Sequence, residues 1–272
     1  MSTIDSQILQ IGTFDRLASQ GTAVHRLDPR GKLIVTLVFA GVVVSVPTHD
    51  LGMLLPFASY PLFLVCAGDV PAGFLFRRLL LVSPFAVMLG AFNPIFDRGP
   101  QASVFGLVIS AGWVSFGAIL LRFALTVSAA LGLIAVTGMR QVCLGLERLR
   151  VPDVFAVQLL LLYRYIFVLA EEALRMARAR SLRAVGRRGL GLRSYAPLVG
   201  QLLMRTLARA ERVHTAMRCR GFTGRIRTRS DLRWGRRDTA FVCTWLMLFA
   251  IFRIWNVPLE LGRAVTRWMS IL

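Results

Sequence analysis

The feature that most constrains this chain is a succession of long apolar blocks interrupted by one Arg-rich stretch. A helix needs about 20 apolar residues to cross the ~30 Å hydrocarbon core of a bilayer. Five blocks approach or reach that length: 33–46, ending at Pro47; 51–67; 79–96, with Pro84 inside and Asn93-Pro94 near its end; 112–136, carrying Arg122; and 240–255. The pattern predicts an all-α integral membrane protein with about five transmembrane helices. Composition agrees, since 56% of the residues are hydrophobic and 17% charged. A soluble domain is nearer 45–50% and about 25%. The same figures exclude disorder.

The net charge of +19 is concentrated in one place. From Arg140 to Arg237 there are 22 Arg against six acidic residues, Glu147, Asp153, Glu171, Glu172, Glu211 and Asp231. Cytoplasmic loops of membrane proteins are enriched in Lys and Arg. This divides the chain into 1–138, a polar N-terminal segment and helices one to four; 139–237, an Arg-rich cytoplasmic helical region; and 238–272, the last span and a tail. Arg26, Arg30 and Lys32 place the start of the first span inside. His49-Asp50 is then outside, Arg77-Arg78 inside and 97–110 outside, and the tail ends outside. The polar segment 1–30 lacks an apolar stretch before Lys32, so it is expected to remain on the mature protein. One block, 154–170, has basic residues on both flanks. It is expected to lie on or within the inner leaflet rather than cross, with Arg164 in polar surroundings.

Local signals place the helices. Asp28 is an N-cap with Pro29 at N1. Pro152-Asp153 starts a helix that continues to about Val185, a rod of roughly 45–50 Å, ended by Gly186 and Gly189. Its second half is amphipathic through Leu174, Ala177, Arg178, Ser181, Leu182 and Val185, with Glu171–Arg175 as a supporting i,i+4 pair. A second rod runs from near Pro197 to Arg220, with Gly221 as its C′ residue. The basic stretch 224–237 reads as a connector at the membrane surface. Pro84 and Asn93-Pro94 are expected to kink or end the third span. Arg122 is costly in lipid and is expected to pair with Asp97 or a carbonyl, or to face the two rods. Trp234, Trp245, Trp255 and Trp268 are placed like interface anchors.

No catalytic constellation is visible. There is no GxxxxGK[ST] phosphate loop, no GxGxxG after a strand and no GxSxG elbow. Cys66, Cys143, Cys219 and Cys243 form no CxxC pair and read as small apolar filler. His25, His49 and His214 are far apart, and no His/Cys/Asp group has metal-ligand spacing. The chain is therefore expected to be no enzyme and to hold no metal, so any energy must come from another chain. The Arg-rich segment could attract phosphates, but no nucleic-acid recognition module accompanies it, so no nucleic acid is expected as partner.

Each rod ends in an Arg between small residues: Ala179-Arg180-Ser181 on the first, Cys219-Arg220-Gly221 on the second. Such triplets arise easily in an Arg-rich chain as solvated residues. Alternatively each Arg is a guanidinium finger at a helix tip. Small neighbours let it enter a groove, where the planar fork meets a carboxylate or a helix C-terminal carbonyl. Two tips suit a partner that offers the same groove twice, a dimer of similar subunits.

At this point the chain resembles the transmembrane T component of energy-coupling factor transporters, in the CbiQ/NikQ group of cobalt and nickel uptake systems. The likeness covers about 15–255. It rests on "FDRLA…HRLDPRGKL", "FNPIFDRGP", "LLRFALTVSAALGLIAVTG" and "GLERLRVPDVF", and above all on "LLLYRYIFVLAEEALRMARARS" and "RTLARAERVHTAMRCRGF". The family's two coupling motifs are Ala-Arg-Ser-like and Ala-Arg-Gly-like. They match Ala179-Arg180-Ser181 and Cys219-Arg220-Gly221, the latter with Cys in place of the common Ala.

The resemblance implies a prokaryotic plasma-membrane subunit with two cytoplasmic ATPase partners and a separate metal-binding membrane subunit (CbiM/NikM-like). ATP and Mg would be held by the ATPases, and cobalt or nickel by the substrate subunit. ATPase dimer closure would push the two rods, with 154–169 as a sliding face for the substrate subunit. Cobalt, nickel and a shared vitamin-transporter role all remain open here.

Overall fold

The computed structural model describes residues 18, 21–22, 24–47, 51–96, 102–104, 107–109, 111–183, 196–224 and 234–254. Helices dominate: α1 Pro29–Ser45, α2 Leu51–Leu54, a 3₁₀ turn Pro56–Ala58, α3 Ser59–Ala67, α4 Ala72–Ala91, α5 Asn93–Phe96, α6 Ala111–Thr137, α7 Met139–Arg148, α8 Asp153–Arg183, α9 Ala196–Cys219 and α10 Arg236–Ile254. Between α5 and α6, β1 Ala102–Val104 pairs antiparallel with β2 Leu107–Ile109, Ala102 opposite Ile109. This short ribbon is an addition to the expected all-α architecture. Among the described residues, three helices are long and apolar enough to cross a membrane, at Ala72–Ala91, Gly112–Thr137 and Asp153–Arg183. The chain is an all-α membrane protein. The third of these helices contains the block 154–170, which its basic flanks had set apart from the spans.

The described residues form two compact units, one holding α7, α8 and α9, the other the remaining elements. In the larger unit an aromatic cluster joins α1, the 3₁₀ turn, α3 and α10. Phe39 lies 4.9 Å from Tyr60 and 5.5 Å from Phe249, and Tyr60 meets Trp245 edge-on at 4.9 Å. Trp245 is thus a core residue and not an interface anchor. Trp234 is exposed and its Nε1 donates to Thr239 Oγ1 at 2.9 Å. Trp255 and Trp268 lie outside the described residues. Two buried hydroxyls are paired in a chain: Thr36 Oγ1 donates to Lys32 O at 2.8 Å, leaving the Tyr60 hydroxyl to donate to Thr36 at 2.6 Å.

The helix signals read from the sequence are present. The Asp28 carboxylate caps α1, accepting from Arg30 N at 3.0 Å, with Pro29 following. Asp28 is itself buried, and its backbone N–H donates to Asp238 Oδ1 at 2.7 Å. The other Asp238 oxygen accepts from Gly235 N at 2.8 Å. One carboxylate so ties the starts of α1 and α10 together.

Three expectations change in detail. The second block is one apolar helical stretch, 52–67, that tightens into the 3₁₀ turn between α2 and α3, where Pro56 has no amide to continue the ladder. The third begins at Ala72, not 79, so Arg77 and Arg78 are helical, with the Arg78 guanidinium 4.9 Å from the Phe74 ring. Arg is a good helix former, and apolarity alone could not reveal a turn built with it. Pro84 does not end that helix: Ser83 Oγ donates at 2.9 Å to Leu80 O, the carbonyl that Pro84 leaves without an amide. The break comes at Phe92, before Asn93-Pro94.

Arg122 finds a carbonyl. Its Nη2 donates to Val46 O, the C-cap residue of α1, and Arg253 Nη2 donates to Ser45 O at 3.3 Å. Two guanidinium groups from α6 and α10 therefore meet the orphan carbonyls at the negative end of the α1 dipole. Asp97, the other partner considered, lies outside the described residues.

Candidate functional site

The expected rods are α8, 31 residues long, and α9, 24 residues long. The first described residue after α8 is Ala196, so Val185, Gly186 and Gly189 lie outside the described residues, as does most of the connector 224–237. The two helices run antiparallel. Leu161, Arg164 and Tyr165 share a groove with Met217 and Arg220; Glu172 meets Arg205; Ala179, Arg180 and Arg183 share another groove with Leu198 and Gln201. Positions that rise along α8 meet positions that fall along α9.

This geometry separates the two Arg tips. Arg220 is level with Arg164, and Arg180 lies 16 residues further along α8. At 1.5 Å per residue the tips stand roughly 24 Å apart along the pair. Arg180 is half-buried in a groove of about 480 Å³, beside exposed Ala179 and Ser181. Its Nε has no hydrogen-bond partner among the described residues. Ser181 Oγ donates to Arg178 O at 2.8 Å, a local bond that does not engage Arg180.

The second tip is held by a tight helix end. Gly221 has φ +80°, its N–H donates to Arg218 O at 3.0 Å, and Phe222 N donates to Met217 O at 3.0 Å. These are the two bonds of a Schellman motif with Gly221 at C′, which makes Arg220 the C-cap residue. Cys219, Arg220 and Gly221 are all exposed, and Arg220 lines a groove of about 950 Å³. Among the described residues neither Arg180 nor Arg220 is in an ion pair.

Sequence reasoning missed Glu172. The expected Glu171–Arg175 pair is replaced by Arg175 Nη2 on Glu172 Oε2 at 3.2 Å, while Glu171 is exposed. Glu172 Oε1 also accepts from Arg205 Nη1 of α9 at 2.8 Å, and Arg209 Nη2 approaches Oε2 at 3.9 Å. The Glu171-Glu172 doublet was visible, but choosing the paired member requires the helix register against α9.

Among the described residues Cys66, Cys143, Cys219 and Cys243 are free, and burial pushes the Cys143 thiol up, towards the inert neutral form. Among the described residues no group of three or more His, Cys, Asp or Glu is arranged to hold a metal.

Apolar helices of membrane length define a helical membrane protein, in which one antiparallel helix pair carries the two Arg triplets. A family model for CbiQ, cobalt transport protein, matches residues 20–231. The chain is 32% identical over 225 residues to the cobalt transport protein CbiQ of Rhodobacter capsulatus, covering 82% of this chain and 89% of that one. It is 26% identical over 252 residues to the energy-coupling factor transporter transmembrane protein EcfT of Bacillus selenitireducens, covering 84% and 91%. A similar EcfT from Lactococcus lactis is 25% identical over 253 residues, covering 86% and 93%. The chain belongs to the CbiQ family, as a transmembrane T component of the energy-coupling factor type.

Proposed function

We propose that this chain is the energy-coupling membrane subunit of an ATP-driven importer of a divalent transition metal, with cobalt favoured over nickel. The observation that carries the reading is the pair of Arg tips at opposite ends of one antiparallel helix pair, roughly 24 Å apart and without ion-pair partners among the described residues. Two cytoplasmic ATPase subunits would each receive one tip: Ala179-Arg180-Ser181 in one groove, Cys219-Arg220-Gly221 in the other. The planar fork of Arg, always charged, suits a carboxylate or the carbonyls at a helix C-terminus. The Arg-rich region 139–237 would then be cytoplasmic, in a prokaryotic plasma membrane.

ATP and Mg belong to the ATPases in this reading, and the metal, as substrate, to a separate membrane subunit. Closure of the ATPase dimer would push the two rods through their tips. The 31-residue α8 would carry that displacement to its apolar half. There Val154, Phe155, Leu162 and Ile166 are exposed and offer a sliding face to the substrate subunit. The domain division at 138/139 and 237/238 follows this split between membrane and coupling parts. The likeness to EcfT proteins supports a second reading, a T component shared among vitamin transporters. Uptake assays with cobalt, nickel and vitamins separate the two.

The test is co-purification with the ATPase pair and metal uptake in the same cells, for the wild type, Arg180→Ala, Arg220→Ala and the double variant. The double variant is expected to insert in the membrane yet lose assembly and uptake. Assembly and uptake that survive it would sink the proposal.

A further inference from the structure

Between the two tips, the contact between α8 and α9 is a half-buried apolar stripe, with Leu161, Leu169 and Met176 on α8 and Leu198, Val213 and Met217 on α9, interrupted midway by a charged cluster. No residue of α9 is buried, and in α8 only Ala156 is. What joins the helices midway is the Glu172 carboxylate. One oxygen accepts from Arg205 at 2.8 Å; the other meets Arg175 at 3.2 Å and Arg209 at 3.9 Å. Glu172 is the shielded member, its side chain 18% exposed against 54% for Arg205. It stands eight residues from Arg180 and eight from Arg164, which is level with Arg220. Along α8 that is roughly 12 Å from each tip.

We propose that Glu172 is a positioning residue for coupling, the pin of the α8–α9 crossing, with Arg205 as its principal partner and Arg209 as its second. This rests on the coupling function proposed above. Two rods tipped with Arg transmit a push only if their crossing point is held. Without it, each tip can follow its own ATPase while the rods slide past one another. A single carboxylate shared by Arg205 and Arg209, one turn apart on α9, fixes both separation and register along the axis. An apolar contact, being non-directional, would not. The three cations around one anion also keep the carboxylate engaged if either α9 partner is lost.

The experiment uses the full complex in proteoliposomes, with metal uptake and ATP hydrolysis measured together. The variants are Glu172→Gln, Glu172→Asp, and the reversed pair Glu172→Arg with Arg205→Glu. Glu172→Gln keeps the shape and removes the charge. It is expected to leave assembly and ATP hydrolysis in place while uptake per ATP falls roughly five- to tenfold, within the range for coupled contact residues. Glu172→Asp and the reversed pair should each recover part of that loss. A readout that needs no transport is amide exchange of 203–212, which should quicken in Glu172→Gln and slow again in the reversed pair.

Uptake per ATP and exchange that both match wild type in Glu172→Gln overturn the proposal. So does loss of assembly that the reversed pair does not restore, because that marks a general folding role. A wild-type complex that imports no metal counts against the function proposed above. The exchange result still decides the role of Glu172.

Discussion

Replacing Gly221 by alanine isolates what the helix end contributes to the second Arg tip. A Cβ added there meets nothing within 4 Å, so the substitution carries no steric clash. What remains is the backbone: φ is +80°, where an L-residue with a Cβ costs about 1–2 kcal/mol. That energy must be supplied, or the Schellman bonds from Gly221 N to Arg218 O and Phe222 N to Met217 O open. Either way the equilibrium between capped and frayed ends shifts by roughly five- to thirtyfold. Arg220, the C-cap residue, then loses its fixed direction. The assay is the Kd of the ATPase pair for the chain in nanodiscs, which should weaken by up to that factor. Gly200→Ala is the control. It too meets nothing within 4 Å, but lies inside α9, where alanine stabilises by roughly 0.5–1 kcal/mol. It should leave Kd unchanged, and Gly221→Asn, which tolerates the left-handed region, should approach wild type. Gly221→Ala binding as tightly as Gly200→Ala would refute the reasoning, because neither added Cβ meets a neighbour within the chain and only Gly221 has a positive φ.

Other contacts make sharp predictions for thermal unfolding of the detergent-solubilised chain. Asp238→Ala removes the acceptor of the buried Asp28 amide and of Gly235 N; it should cost about 1–3 kcal/mol and lower Tm, whereas Asp238→Asn should cost less. Gly90→Ala puts a Cβ 2.7 Å from Phe116 Cδ2; the overpacking should cost about 1–3 kcal/mol, and Phe116→Leu in the same chain should return part of it. Arg122→Leu leaves the Val46 carbonyl without its guanidinium; a loss of about 1–3 kcal/mol is expected, partly recovered by Arg122→Lys. An unchanged Tm in any of these would show that the contact concerned contributes nothing to stability.

Much of the local structure was legible in the residues themselves. Asp28-Pro29, Pro152-Asp153 and Gly221 act through their own backbone preferences, and each stands where it was expected. The block 112–136 matches α6 to within one residue at each end. Errors came where a helix was built from residues that apolarity ignores, as at Arg77-Arg78, or where one residue's missing amide had two outcomes. Pro56 tightens its block into a 3₁₀ turn, where Leu55 N serves the Gly52 carbonyl, while Pro84 sits inside an α-helix, where Ser83 serves the carbonyl that Pro84 abandons.

The two Arg triplets were likewise visible as motifs. Their placement at opposite ends of an antiparallel pair depends on which faces meet. So does the choice of Glu172 over Glu171 as the partner of Arg205.

The sequence by itself determined the class, the coarse segments and the capped helix ends at Asp28, Asp153 and Gly221, because hydropathy, charge and capping act over a few residues and need no neighbour in space. Tertiary structure alone decided that Trp245 enters the core, that Arg122 meets the end of α1, and that Glu172 joins α8 to α9. In uniformly apolar helices no periodicity marks the face that meets protein, and in an Arg-rich pair every cation is a candidate for each carboxylate. Only the fixed separation and register of packed helices chooses among them.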